Sequence, residues 1–248
     1  MSDSGMLINP SRVKGEPRLP AAGMLVINPA EAEAARMRAK SRNGRQHFLF
    51  NSKLIVVPET PTTGPFFIAG PAVGAPMAVL TLEKLIALGA CSIIAYGWCG
   101  SLSAKLPIGD VLLPTWAVSD EGTSSHYPVN QMPESHANTR QLLASALQER
   151  DWTAHTGPIW TTDAPYRESK KEVKRLGQKG ILAVDMEYSA LIAAATFRRI
   201  ALTAVLLVSD ELWSGTWTPG FHNKEFKQKS DKILSFLADY CANQHASK

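Results

Sequence analysis

A chain of 248 residues with 45% hydrophobic and 19% charged residues is long enough to bury a sizeable core. The formal net charge of +4 is spread thinly, and the densest basic cluster (Lys170, Lys171, Lys174, Arg175, Lys179) is interleaved with polar groups. That pattern describes a solvated helix face, and it excludes nucleic acid as an expected partner. Three cysteines without a CxxC pair exclude a disulfide framework and imply a reducing, cytoplasmic setting. The opening residues lack the apolar core of a secretory signal, so residues 1–22 are expected to be an arm and residues 23–248 one catalytic domain.

In chain order, MLVIN (24–28) reads as a strand and AEAEAARMRAK as the helix after it. HFLF and KLIVVP suggest a hairpin, and PFFIAG a buried strand. APMAVLTLEKLIALG is a helix with Met77, Leu80, Leu85 and Leu88 near one face and Gly89 as its stop. The uncharged stretch from Leu85 to Ala104 has the length of a membrane span, but Gly89, Ser92, Gly97, Gly100, Ser101 and Ser103 divide it. It becomes a helix end, the strand CSIIAYG and a glycine loop, and no membrane is expected. DVLLPTWAVS is a further strand, and residues 136–151 and 168–178 are amphipathic helices. ILAV leads into a helix from Asp185 to Arg198, IALTAVLLVSD is a long buried strand, and residues 222–243 close the chain as a helix. Fully apolar strands alternating with helices predict one α/β domain: a twisted mixed, largely parallel sheet with helices on both faces.

Ligands of such sheets collect at the carboxyl ends of strands. Three strand exits carry unusual polar residues: GWCGS, VDME and VSDELW. In VDME, Asp185 reads as a helix cap. Glu187 enters a helix that is apolar all round, so its carboxylate needs partners, which two vicinal sugar hydroxyls would supply. In VSDELW, Asp210 is either another cap or an acid at a buried strand end, where a raised pKa suits proton donation. Gly97 and Gly100 either make a tight turn or turn backbone N–H groups toward an anion. Tyr166 and Arg167, in TTDAPYRES, either sit in a surface loop or face a planar base. Scattered histidines and the absence of HExxH give no metal site and no cofactor.

Together GPAVGAPMAVLTLEKLIALGACSIIAYGWCGSL, IGDVLLP, AVDMEYSAL and LLVSDEL resemble the nucleoside phosphorylase superfamily of purine nucleoside phosphorylase, uridine phosphorylase and methylthioadenosine nucleosidase. The resemblance runs from about Pro65 to about Trp213. It implies a homo-oligomer that cleaves a nucleoside N-glycosidic bond: a pentosyltransferase of nucleoside metabolism and purine salvage, with inorganic phosphate as co-substrate. It also implies that Glu187 binds the ribose hydroxyls, that Met186 lines the sugar, and that Asp210 protonates or hydrogen-bonds the purine N7. The stretch 161–169, with Tyr166 and Arg167, looks closer to the base loop of uridine phosphorylases, but Asp210 favours a purine.

The phosphate ligands depart from the family pattern. Ala95 and Trp98 stand where an arginine and a serine or threonine belong, and Glu31 stands where an early arginine falls. That leaves Gly97, Trp98 and Gly100 to form the acceptor subsite, or Arg42 and Arg45 to hold phosphate from elsewhere. The alternatives are a hydrolase whose water is activated by Glu33, a residue that reads first as a solvent-facing helix position beside Glu31, and a nucleoside-binding protein without catalysis.

Overall fold

The computed structural model describes residues 5–50 and 52–243. Its strands are β1 (Ala22–Val26), β2 (Arg45–Leu49), β3 (Ser52–Val57), β4 (Phe66–Gly70), β5 (Ser92–Ser101), β6 (Val111–Asp120), β7 (Ala154–Thr162), β8 (Ala183–Asp185), β9 (Ala201–Glu211) and β10 (Thr218–Pro219). Its helices are α1 (Pro29–Ser41), α2 (Ala75–Leu88), α3 (Ala137–Gln148), α4 (Lys170–Gln178), α5 (Tyr188–Arg198) and α6 (Lys224–Asn243).

The strands form one sheet in the order β10-β9-β6-β7-β8-β5-β1-β4-β3-β2. β9 also pairs with β5, so β5, β9, β6, β7 and β8 close into a ring. β1 and β4 are buried at every residue because helices cover both faces. α2 and α5 pack on one face and α1, α3 and α6 on the other, while α4 seals a smaller cluster of Leu102, Trp160 and Val184. The sheet is mixed, largely parallel along its long ladders and helix-covered, as expected. β1–β4, β1–β5, β5–β9, β6–β7 and β7–β8 run parallel. The pairs β2–β3, β3–β4, β5–β8, β6–β9 and β9–β10 run antiparallel, because ring closure and the hairpin margin reverse the chain.

Other expectations change with the packing. β7 escapes the sequence reading because Gly157 and Pro158 punctuate it, yet it bridges β6 and β8. The expected glycine loop after CSIIAYG is strand: β5 continues through Ser101 with an irregularity between Cys99 and Gly100. Leu80 leaves the buried face of α2 and is 44% exposed, since it lies roughly 200° around the helix from Ala78. Ala78, Val79, Leu82, Leu85 and Leu88 form that face instead. The turn of the expected β2–β3 hairpin, at Asn51, lies outside the described residues.

Residues 5–21 contain no helix or strand and lie along α2. Lys84 Nζ pairs with Glu16 Oε2 at 2.7 Å, and Leu19 N–H donates to the Leu88 carbonyl. Among the described residues, no helix is long and apolar enough to cross a membrane.

Candidate functional site

The turn from β8 into α5 is built on hydrogen bonds. Asp185 ends β8, and its Oδ1 accepts from Thr161 Oγ1 at 2.6 Å. Its Oδ2 accepts the N–H groups of Glu187 at 3.2 Å and Tyr188 at 2.7 Å. Thr161 Oγ1 accepts Ser189 N–H in turn. The free donors at the head of α5 are thereby satisfied. α5 follows with every residue from Tyr188 to Ala195 buried.

Glu187 is left to face the cleft. Its Oε1 accepts Gly74 N–H at 2.6 Å and its Oε2 accepts Met186 N–H at 3.3 Å. Gly74, at the head of α2, has φ +84°, where a side chain would be strained. Burial above all, then the neighbouring Asp185 charge, pushes the Glu187 carboxyl well up from its ordinary range.

Asp210 lies near the end of β9. Its Oδ1 accepts from Ser209 Oγ at 2.6 Å, and its Oδ2 accepts from Trp217 Nε1 at 2.9 Å. The short β10 makes the second contact possible, because Pro219 pairs with Asp210 and folds Trp217 back over it. Gly100 lies opposite Asp210 in the ladder. A Cβ there would stand 2.6 Å from Leu212 Cδ1 and 3.1 Å from Asp210 Oδ2, so only glycine leaves room for the carboxylate.

Glu187 and Asp210 open onto one cleft of about 560 Å³. Met186, Trp98, Gly100 and Tyr166 also line it, as do Glu168, Trp217 and Phe221. Trp98 belongs to an aromatic wall, stacked on Phe221 at 6.0 Å and edge-on to Phe226 at 5.2 Å. Its indole Nε1 is buried without a partner among the described residues, as is Asn28 Oδ1 on the same cleft. Tyr166 is wholly exposed at the mouth. The Cys99 thiol lines the cleft too, and burial pushes its pKa far up, which leaves it inert.

Other expected residues fall elsewhere. Gly97 is inside β5, closely packed on Ile27, and it lies outside the cleft lining. Arg167 is exposed beyond the lining. Glu33 stands on the solvent side of α1, bound to Arg36 and near Lys53, because an exposed carboxylate among cations pairs with them. Glu31 turns toward α6 and accepts from Ser230 Oγ, which itself accepts from Tyr96 OH. Burial raises its pKa. Ala95 is in the core, and Arg42 pairs with Asp239. No lysine, arginine or histidine lines the cleft among the described residues.

Sequence reasoning missed Glu168, Asn28, Val73, Trp217 and Phe221. Glu168 falls inside a stretch already singled out, and the aromatics bracketing Pro219 were the remaining signal. A larger cavity of about 690 Å³ lies between the arm, Phe48 to Phe50 and Phe197. Its charges are neutralised among themselves, Lys84 by Glu16 and Arg198 by Glu83. The carboxyls of the smaller cleft have no such cations. No cluster of three or more His, Cys, Asp or Glu able to hold a metal ion exists among the described residues.

Comparisons with known proteins agree with this architecture. The family model of the phosphorylase superfamily matches residues 25–242. A guanosine phosphorylase of Halorubrum lacusprofundi is 30% identical over 161 residues, which is 64% of this chain and 66% of that protein. A DeoD-type purine nucleoside phosphorylase of Bacillus thuringiensis is 29% identical over 154 residues, 61% of this chain and 66% of that protein. The match thus spans just under two thirds of the length of these relatives. The crystal structure of purine nucleoside phosphorylase from Toxoplasma gondii, in complex with immucillin-H, superposes with a TM-score of 0.79 at 22% identity, covering 93% of this chain and 94% of that one. Uridine phosphorylase from Vibrio fischeri superposes with a TM-score of 0.76 at 18% identity, covering 91% and 92%. With nearly the whole of its folded body matched by the family model, the chain belongs to the phosphorylase superfamily.

Proposed function

We propose that the protein cleaves the N-glycosidic bond of purine nucleosides and passes the pentosyl group to inorganic phosphate. The observation that carries this reading is the convergence of Glu187 and Asp210 on one cleft. Glu187 receives the ribose 2′- and 3′-hydroxyls, and Met186 supports the sugar. The base lies between Tyr166, Trp217 and the acids Asp210 and Glu168. Breaking the C1′–N bond leaves an electron-rich purine, so an acid beside the base lowers the barrier, typically by about 10²–10⁴-fold. The similarity to a guanosine phosphorylase and to a purine nucleoside phosphorylase supports both phosphate and a purine base.

Water as the acceptor is the second reading, and one observation favours it: among the described residues the lining holds Glu168, Asp185, Glu187 and Asp210 but no cation. A phosphate dianion needs positive partners there, which a neighbouring copy would bring. Exposed Met6, Leu7, Ile8, Phe48 and Phe50 support such an oligomer. Three free thiols support a reducing, cytoplasmic setting. Chromatography of nucleoside panels with and without phosphate tests the reading: phosphate-dependent base release with formation of a sugar phosphate is expected. Base release indifferent to phosphate would leave the cleavage standing and replace the acceptor with water.

A further inference from the structure

We propose that Glu168 carries the proton taken by the departing purine and that Asp210 is the fixed anion that keeps it there; this rests on the N-glycosidic cleavage proposed above. Two acids share the base end of the cleft, and their surroundings differ. Asp210 is committed as an acceptor on both oxygens, to Ser209 Oγ and to Trp217 Nε1. An indole nitrogen only donates, so the side of Oδ2 that faces it is taken up as an acceptor. Glu168 is the reverse case. Its side chain is half-buried in the lining and its carboxyl has no hydrogen-bond partner among the described residues. A carboxyl with that freedom, facing the space a base would fill, can present an O–H.

The charges around it favour the protonated form. From β9 the carboxylate of Asp210 acts on it. From the β8–α5 turn Asp185 and Glu187 share the same cleft, and no lysine, arginine or histidine lines it among the described residues. Its chain neighbours Arg167 and Lys170 are exposed and outside the lining. Burial, and after it the Asp210 charge, pushes Glu168 up to about 7, where an acid serves best near neutral pH.

The step balances. The C1′–N9 bond breaks with its electron pair going to the purine, the proton moves from the Glu168 O–H to N7, and an oxygen of the acceptor bonds to C1′. Phosphate sheds its own proton on becoming the sugar ester, and solvent returns one proton to Glu168.

The test compares guanosine with 7-methylguanosine, whose alkylated N7 lets the base leave without a proton. Glu168→Gln should lose about 10²-fold or more in kcat on guanosine while cleaving 7-methylguanosine close to the wild-type rate. Quenching of Trp98 and Trp217 fluorescence by guanine checks that the cleft is intact, and Glu168→Asp, which keeps a carboxyl, should recover part of the guanosine rate. Equal losses on both nucleosides, or an undiminished guanosine rate, would overturn the assignment. In the wild type, kcat/KM should fall as pH rises through about 7, because the protonated form is the active one. Asp210→Asn removes the like charge and should move that limb to lower pH; an unmoved limb would overturn the part given to Asp210. Wild-type protein that releases base from neither nucleoside would instead remove the underlying reading of function.

Discussion

The two ends of the cleft are built on different principles. At the β8–α5 turn, Asp185 and Glu187 are both buried and every oxygen of the two carboxyls accepts a hydrogen bond. At the other end Tyr166 is wholly exposed, Trp217 is 59% exposed and the Glu168 carboxyl is unpartnered among the described residues. The first end is preorganised and holds its shape without a ligand. The second is completed by whatever enters. A pentose is the invariant half of a nucleoside and a base the variable half, so a rigid seat and an open one suit them respectively.

Substitutions at the two ends should separate these principles. Asp185→Ala strands the Thr161 hydroxyl and two backbone N–H groups and should cost about 2–4 kcal/mol, read as a lowered midpoint of chemical denaturation. A midpoint matching the wild type would mean that the turn holds without its cap. Gly100→Ala forces a methyl against Leu212 and Asp210 and should cost roughly 1–3 kcal/mol together with turnover. Retained stability with full activity would show that the contact is loose. Glu187→Gln should cost ribonucleosides roughly 10-fold in kcat/KM and 2′-deoxynucleosides less, since hydrogen bonds to a charged acceptor are the stronger ones. Identical losses for the two sugars would remove its assigned partner. Tyr166→Ala, at the open end, should leave stability within about 0.5 kcal/mol and raise KM alone, and a large stability loss would show that this end is rigid too.

The end proposed to seat the sugar was legible in the sequence, and the other end was only partly so. A carboxylate before an all-apolar helix is a local conflict that burial turns into a hydrogen-bonding requirement, and Glu187 announced itself that way. Asp210 announced itself as an acid at the end of an apolar strand. What was not legible depends on distant pairing. Trp217 reaches Asp210 only because β10 folds back on β9. GWCGS looked like a loop because glycines signal turns, whereas its backbone belongs to the ladder and its glycines admit Ile27 and Asp210. β7 was hidden by its own Gly157 and Pro158, whereas Glu33 takes the solvent-facing alternative, paired with Arg36 one helical turn on.

Closure of the strand ring has one more consequence. Gly100 on β5 sits opposite Val184 on β8 and opposite Asp210 on β9. The staves that carry the two halves of the cleft are therefore two interstrand steps apart, about 10 Å at the usual spacing near 4.8 Å. That is the reach of one nucleoside, and it is a dimension of the backbone lattice. On the proposed reading, lengthening or trading the segments between strands would retune which heterocycle is admitted, while the ruler from sugar to base stays fixed.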